Sequence, residues 1–370
     1  MGTGPGATAF ERGGGAIVNF AQVEEIADAV LYEGYMLYPY RPSAVKNQQR
    51  WNFGVLCPES HSASQPGSES PCMQTECLLR TTPNSRVTAR IRFLQIVQRL
   101  IGRQRMPRSE AAHNPTDGLE FVDRLEVDRR IYRPLQEAVE RAVTYENFDP
   151  TLFDTRAMDF SFPSDELIEE LCDARGDLTG AIVRRRMGLA GTIKIGAEQC
   201  GENIVKLTVR IENRSEFEAA KADSTASRDA VLLHSLVSTH IIVGVEDGAF
   251  VSSLDPPPEL RDASAACENI GAWPVLVGDN AEAMLASPII LYDDPKIAPE
   301  SAGNLFDGTE IDEILSLRIL TLTDDEKAEI RQSDERAREL LERTESIPNE
   351  QFLKLHGVLR GLAPFKEGAQ

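Results

Sequence analysis

Four groups of side chains in this 370-residue chain have the chemistry to hold a ligand or a partner. The first is Cys57-x3-His61-x10-Cys72-x4-Cys77. Thiolate and imidazole are good ligands for zinc, iron or nickel, and four of them can close a tetrahedral site. The spacing lacks a CxxC pair and the intervening residues are rich in serine. The expectation is therefore an exposed loop with incidental thiols and no bound metal. The second is the pair His234 and His240, with Glu246 and Asp247 further along the strand that His240 precedes. A metal or acid–base site is one reading. A hydrogen-bonded structural histidine is the expected one, because the spacing across a helix-to-strand change fixes no shared face. The third is the acidic run Asp293, Asp294, Glu300, Asp307, Glu310, Asp312 and Glu313, hard oxygen ligands of the kind magnesium and calcium take. It has no EF-hand spacing, and Asp307-Gly308-Thr309 reads more simply as a turn into a helix cap. The fourth is aromatic and basic: Tyr32, Tyr35, Tyr38 and Tyr40, then Arg41, Lys46, Arg50, Trp51 and Phe53. Tyrosine, tryptophan and arginine are the usual anchors of protein interfaces. Tyr35, Tyr38, Tyr40, Arg41 and Trp51 are thus candidate partner-binding residues, with core packing and base stacking as the alternatives. None of HExxH, GxSxG, GxxxxGK[ST], CxxC or a strand-linked GxGxxG is present.

The elements that position these groups follow from periodicity. Val23, Ile26, Ala27, Val30 and Leu31 have helical spacing. Residues 58–71 are rich in Ser, Pro, Gly and Glu and read as an exposed loop. Val87, Ala89, Ile91 and Phe93 alternate with Arg90 and Arg92, a strand with an apolar and a basic face. A strand is expected over 120–127, and Pro134 opens a predicted helix carrying Leu135, Val139 and Ala142. Ser164 followed by Asp165 and Glu166 predicts a second helix start. Strands are expected over 191–197 and 203–212, and a helix over 227–236. A hairpin turning at Asp247-Gly248 is expected between 240–245 and 249–252, then strands over 273–277 and 288–292. Helices opening at Thr309, Thr323 (a capping box with Glu326) and Pro348 form the end of the chain.

Apolar residues at 41% and charged residues at 26% describe a globular chain. A net charge of −20 repels phosphate backbones, so no nucleic-acid partner is expected. No apolar run approaches the ~18–20 residues of a membrane span. The start, MGTGPGATAF, lacks the basic and apolar blocks of a secretory signal. A cytoplasmic protein with its cysteines reduced is expected, with no membrane partner. Residues 80–108 hold eight arginines and no acid, while 246–313 hold 15 acids and two bases. The two stretches either pair or form solvated faces, and solvated faces are the commoner outcome. The fold class expected is α+β: a β-rich, sandwich-like core flanked by helices, with a C-terminal helical segment. The chain divides into a flexible glycine-rich leader (1–20), an aromatic and basic segment with a Ser-rich loop (21–80), the β-rich core (81–308) and the helical end (309–370).

LYEGYMLYPYRPSAVKNQQRWNFG (31–54), STHIIVGVEDGAFVSSLDPP (238–257) and YDDPKIAPESAGNLFDGTEIDEILSLRILTLTDDEK (292–327) carry a resemblance. They resemble a family of uncharacterised proteins encoded in operons of nickel–iron hydrogenases, especially the oxygen-tolerant, actinobacterial type. The likeness runs from about residue 27 to 360, and the family brings no catalytic residues to carry over. It implies a role in making, maturing or supporting a hydrogenase. The expected function is thus that of a non-catalytic accessory protein acting by protein–protein binding, with a hydrogenase subunit or maturation factor as partner and no cofactor. The alternative is a metal-dependent enzyme that uses the central histidines and the acidic loop.

Overall fold

One very long strand organises the fold. The computed structural model describes residues 20–31, 53–64, 69–105, 116, 118–217, 228–295, 322–331, 338, 341–342 and 345–346. Strand β1 (Cys72–Gln104) is 33 residues long. At ~3.3 Å per residue it would reach about 110 Å if straight, so it has to bend. It does so at Thr82–Ser85, where the ladder to β11 (Val237–Phe250) skips from Thr81 to Arg86. The side chains of Ser85 (2.5 Å) and Thr82 (3.0 Å) donate to the Asp247 carbonyl there. Asp247 takes a left-handed φ of 53°. A Cβ on Gly248 would come within 2.9 Å of the Arg80 carbonyl oxygen, so glycine is needed at that close approach. Asp247-Gly248 therefore serves a bulge within one continuous strand, which corrects the expected hairpin.

The bend lets different partners share the edges of β1. One edge pairs with β10 (Ile204–Asn213), then β5 (Leu135–Phe148), then β2 (Leu119–Phe121). The other pairs with β11 and then β8 (Leu178–Arg186). The sheet extends from β10 through β9 (Leu189–Gly201) to β6 (Thr155–Phe162), and from β11 through β13 (Ala283–Ser287) to β12 (Trp273–Val277). Every pairing is antiparallel. The folded sheet closes on one core. Val87, Ala89, Ile91 and Phe93 of β1 meet Leu189, Ile193, Val209, Ile211 and Ile241, with Phe160 and Phe162 packed alongside. The protein is α+β, with a β-rich, sandwich-like core.

Helix α1 (Ala21–Leu31) lies on the opposite face of the β11–β13–β12 portion, where Val23, Ile26 and Ala27 cover Ile242, Val275 and Leu285. The helix forms at the expected place because those apolar positions fall on one stripe. A third cluster joins Leu94 and Ile96 to Leu31, Val231, Leu232, Ile330 and Leu341. It brings in α3 (Arg228–Leu232). The far end of β1 builds a smaller core with β8, β7 (Asp165–Cys172), β3 (Leu125–Val127) and β4 (Arg130–Tyr132).

Two expected helices are strands. Residues 135–148 form β5, because twelve residues of β1 pair with it; the heptad-like spacing of Leu135, Val139 and Ala142 is outweighed by the ladder. Residues 165–172 form β7, where Asp165 and Glu166 stand opposite Arg186 and Arg185. Their acids complete cross-strand ion pairs at 2.5 Å. No strand forms over 288–292, where the chain bends at 288–289; the strand is Ala283–Ser287 instead. The expected helix over 227–236 is confined to Arg228–Leu232. Helix α5 (Asp324–Arg331) starts just after Thr323, whose backbone carbonyl accepts from Lys327 N (2.9 Å); the Glu326 side chain of the expected capping box lies outside the described residues. The helices expected at Thr309 and Pro348, like the leader, lie outside the described residues.

Candidate functional site

The site grows out of a second bulge in β11. Arg92 pairs with His240 and Leu94 with Val237, so Ser238 and Thr239 stand against Phe93 alone. Ser238 adopts φ 51°, a left-handed conformation that costs a non-glycine residue of order 1–3 kcal/mol. The bulge is held by the chain at 53–54: Ser238 N donates to the Phe53 carbonyl (2.9 Å) and Thr239 N to that of Gly54 (3.0 Å). A side chain at Gly54, itself at φ 53°, would collide with Pro288 and Thr239 N, each 2.9 Å from its Cβ.

Three consecutive polar residues are buried here: Ser238, Thr239 and His240, the last two fully. Ser238 Oγ, Thr239 Oγ1 and His240 Nε2 have no hydrogen-bond partner among the described residues. Buried polar atoms are nearly always satisfied, so three in a row at a strained bulge single out this position. The Nδ1 of His240 lies 3.1 Å from the Ser238 carbonyl oxygen. Burial pushes the imidazole down to about 4, helped by Arg92 and opposed by the Ser238 carbonyl and Glu140. The ring is therefore neutral at pH 7, with Nδ1–H donating to Ser238 and the Nε2 lone pair unused.

Residues directly opposite in a ladder share a face. Ala142, Arg92 and His240 form one such row, and Thr144, Arg90 and Ile242 the next. This is the face that α1 covers. Arg92 binds Asp28 (2.5 Å) and Glu140 (3.3 Å), and Arg90 binds Glu24. Glu24, Asp28, Arg90, Arg92, Glu140, Arg141 and Ala142 line an open cleft of ≈ 270 Å³ between the helix and the sheet.

The sequence-derived candidates fall in several places. Cys57, His61, Cys72 and Cys77 are all buried, and His61 sits on helix α2 (Glu59–Ser64), which corrects the expected exposed loop. The four are dispersed. Cys77 belongs to the main core, where burial raises its pKa strongly. Cys57 packs with Leu94 and is pushed up to about 11 by burial. Cys72 accepts from Arg210 at 3.0 Å. His61 and His234 instead flank the Phe217 ring edge-on, at 5.9 and 5.4 Å between centroids. Among the described residues no three His, Cys, Asp or Glu side chains are placed to share a metal ion. Asp293 binds Ser252 and the Leu276 amide, bracing the chain beside β12. Tyr35, Tyr38, Tyr40, Arg41 and Trp51 lie outside the described residues, as do Glu300, Asp307, Glu310, Asp312 and Glu313.

The arginine-rich stretch is ion-paired within the molecule. Arg80, Arg86, Arg90, Arg92, Arg99 and Arg105 reach Glu259, Asp149, Glu24, Asp28 with Glu140, Glu137 and Glu120 respectively. Only Arg80 among them pairs with the acidic second half; the other partners lie in the first half of the chain. Glu24 and Asp28 were the missed residues of the site. Their i, i+4 spacing beside the apolar stripe of α1, set against Arg90 and Arg92 two apart on a strand, is the signal that finds them.

A further feature is an apolar rim at the β12 edge. Trp273, Ile290 and Tyr292 are 45%, 73% and 85% exposed. The chain after β13 folds back along β12, where Asp294 N donates to the Leu276 carbonyl (2.8 Å). Leu254, also exposed, follows Ser252, whose hydroxyl donates to Asp293. No known protein family matches the chain, and no curated protein matches it. Among the described residues no helix is long and apolar enough to cross a membrane.

Proposed function

We propose that the protein is a cytoplasmic accessory protein without catalytic activity that binds another protein during assembly or maturation of a nickel–iron hydrogenase. The observation that carries the binding part is the rim of Trp273, Ile290, Tyr292 and Leu254. Large aromatic and aliphatic side chains this exposed, on β12 and on the chain segments hydrogen-bonded near it, are the composition of an interface centre. Two of the three stretches that resemble hydrogenase-linked proteins supply half of it, since 238–257 contains Leu254 and 292–327 begins at Tyr292. Tyr35, Tyr38, Tyr40, Arg41 and Trp51 belong to the same reading, in the chain leading to Phe53.

The test is a calorimetric titration against the separate large and small hydrogenase subunits. One subunit should bind, and Trp273→Ala and Tyr292→Ala should each weaken it about 30-fold, about 2 kcal/mol, with unchanged thermal unfolding. Because the arginines of 80–105 are engaged within the chain, affinity should change little between low and moderate salt. Rim variants that bind like the parent protein remove the rim from the interface. A metal-dependent enzyme is the second reading, favoured by the unused Nε2 of neutral His240; stoichiometric metal in the purified chain, lost in His240→Ala, is its signature.

A further inference from the structure

We infer that the outer edge of β6 is an interaction surface for a second copy of this chain, whose own β6 adds antiparallel and extends the sheet. The backbone sets out the docking groups. The Ala197 amide donates to the Asp154 carbonyl (3.1 Å), and that register runs unbroken through Thr155–Phe162. In an antiparallel ladder alternate residues turn their N–H and C=O towards a given neighbour. Arg156, Met158, Phe160 and Phe162 therefore bond to β9, while Thr155, Ala157, Asp159 and Ser161 point their backbone groups outward. Among the described residues nothing receives those four N–H and four C=O groups. No proline, lysine or bulge protects the edge. The other end of the sheet is protected: β12 carries Pro274, and Leu276 N and O are taken by Asp293 Oδ1 and Asp294 N.

The core is open along the same strand. Val143, Tyr145, Met158, Phe160, Phe162 and Leu276 pack on the main core yet stay partly exposed. All but Leu276 lie on β6 or on β5, which among the described residues pairs with β1 alone. The Arg141 guanidinium of β5 lies 4.7 Å from the Phe162 ring centre, so the two strands face each other across the layers. Half-covered core residues beside a bare strand edge fit an added strand.

A copy of β6 fits because the strand is self-complementary. With Met158 opposite its own copy on a two-fold axis, Ala157 meets Asp159 and Thr155 meets Ser161. Every outward N–H and C=O is then bonded. On the core face Arg156 meets Phe160, a cation beside a ring, and no like charges stand directly opposed. Moving the axis to Asp159 would oppose two carboxylates, and moving it to Ala157 would carry Ser161 past the end of the strand. The result is an isologous dimer. β6 and β12 end the strand order on opposite sides, and the inference does not rest on the rim or on the hydrogenase reading.

The experiment is sedimentation equilibrium of the full chain, and a dimer is expected. Ala157→Pro removes an outward N–H without touching the ladder to β9. It should raise the dimer dissociation constant about 100-fold, through two lost bonds that each leave a carbonyl unmet, with far-ultraviolet dichroism like the parent's. Met158→Cys tests the register in an otherwise intact strand. Pairs of this non-hydrogen-bonded kind bring Cα atoms to ~4.5 Å, within disulfide range. Under oxidised glutathione this variant should become a covalent dimer well above the parent's background. Thr155→Cys, about 20 Å from its copy in that register, should not. A chain still monomeric at about 0.1 mM, which would leave the edge to a strand of another protein, overturns the inference. So does a dimer untouched by Ala157→Pro, or Met158→Cys cross-linking no better than Thr155→Cys.

Discussion

Phe93→Ala is expected to cost about 3–5 kcal/mol of folding stability, the largest effect of any single truncation in the core. Phe93 is fully buried at the point where the two halves of the folded sheet meet. Its ring lies 6.1 Å from that of Phe160 and 6.0 Å from that of Phe162, centre to centre, so β1 and β6 are joined through it. Among the described residues β6 is tied to the rest of the sheet through β9 alone, and the cavity left by alanine would have few neighbours able to collapse into it. Urea unfolding followed by tryptophan fluorescence measures the change as a shift in midpoint at constant slope. A loss below about 1 kcal/mol would mean that the halves are held together elsewhere.

Stability should also fall as the pH drops from about 6.5 towards 4, and His240 is the reason. The unfolded chain binds a proton on this histidine near 6.5, whereas the folded site resists it until about 4. Above pH 6.5 the ring is neutral in both states and contributes no pH dependence. Between the two values only the unfolded state takes up the proton, so unfolding is favoured by acid. The slope approaches ~1.4 kcal/mol per pH unit, which gives a loss of about 2 kcal/mol between pH 7 and pH 5. His234, also depressed by burial, acts in the same direction. Glu212 enters later: burial opposes its ionisation, but bonds from Lys194, Arg210 and Arg214 hold it at about 2, so its contribution is lost only below 4.5. Urea denaturation at pH 7, 6 and 5 isolates the histidine window, and His240→Gln should flatten most of the slope. A parent protein equally stable at pH 7 and pH 5 would show that the ring is hydrated or already charged.

The parts of the fold legible in the sequence are those set by simple periodicity. Val87, Ala89, Ile91 and Phe93 alternate with Arg90 and Arg92, and the structure puts the first set in the core and the second under α1. The helix at 21–31 and the strands at 191–197, 203–212 and 273–277 are of the same kind. What was hidden depends on distant partners. The alternation at 87–93 marks only one part of β1, which runs back through Thr82–Ser85 to Cys72 because β11 bulges opposite at Asp247. Pro134 and Ser164 carry good local helix-start signals, but the chain after each is claimed by a ladder, and Asp165 and Glu166 find arginines about twenty residues away. In the candidate site, the sequence reads His240 as a hydrogen-bonded structural histidine, and it is buried with Nδ1 on the Ser238 carbonyl. The bulge that orphans its Nε2, and the meeting of Glu24 and Asp28 with Arg90 and Arg92, arise only when β11, β1 and α1 come together.

Binding to a hydrogenase component is the proposal on which the function rests. Affinity purification of the full chain from cells producing a nickel–iron hydrogenase, with mass spectrometry and elemental analysis of the same eluate, tests it most directly. A hydrogenase subunit or maturation factor is expected in near-equal amount, retained at moderate salt and lost when Trp273 and Tyr292 are both replaced by alanine. A chain that elutes alone, carrying one equivalent of a metal that His240→Ala removes, would contradict it.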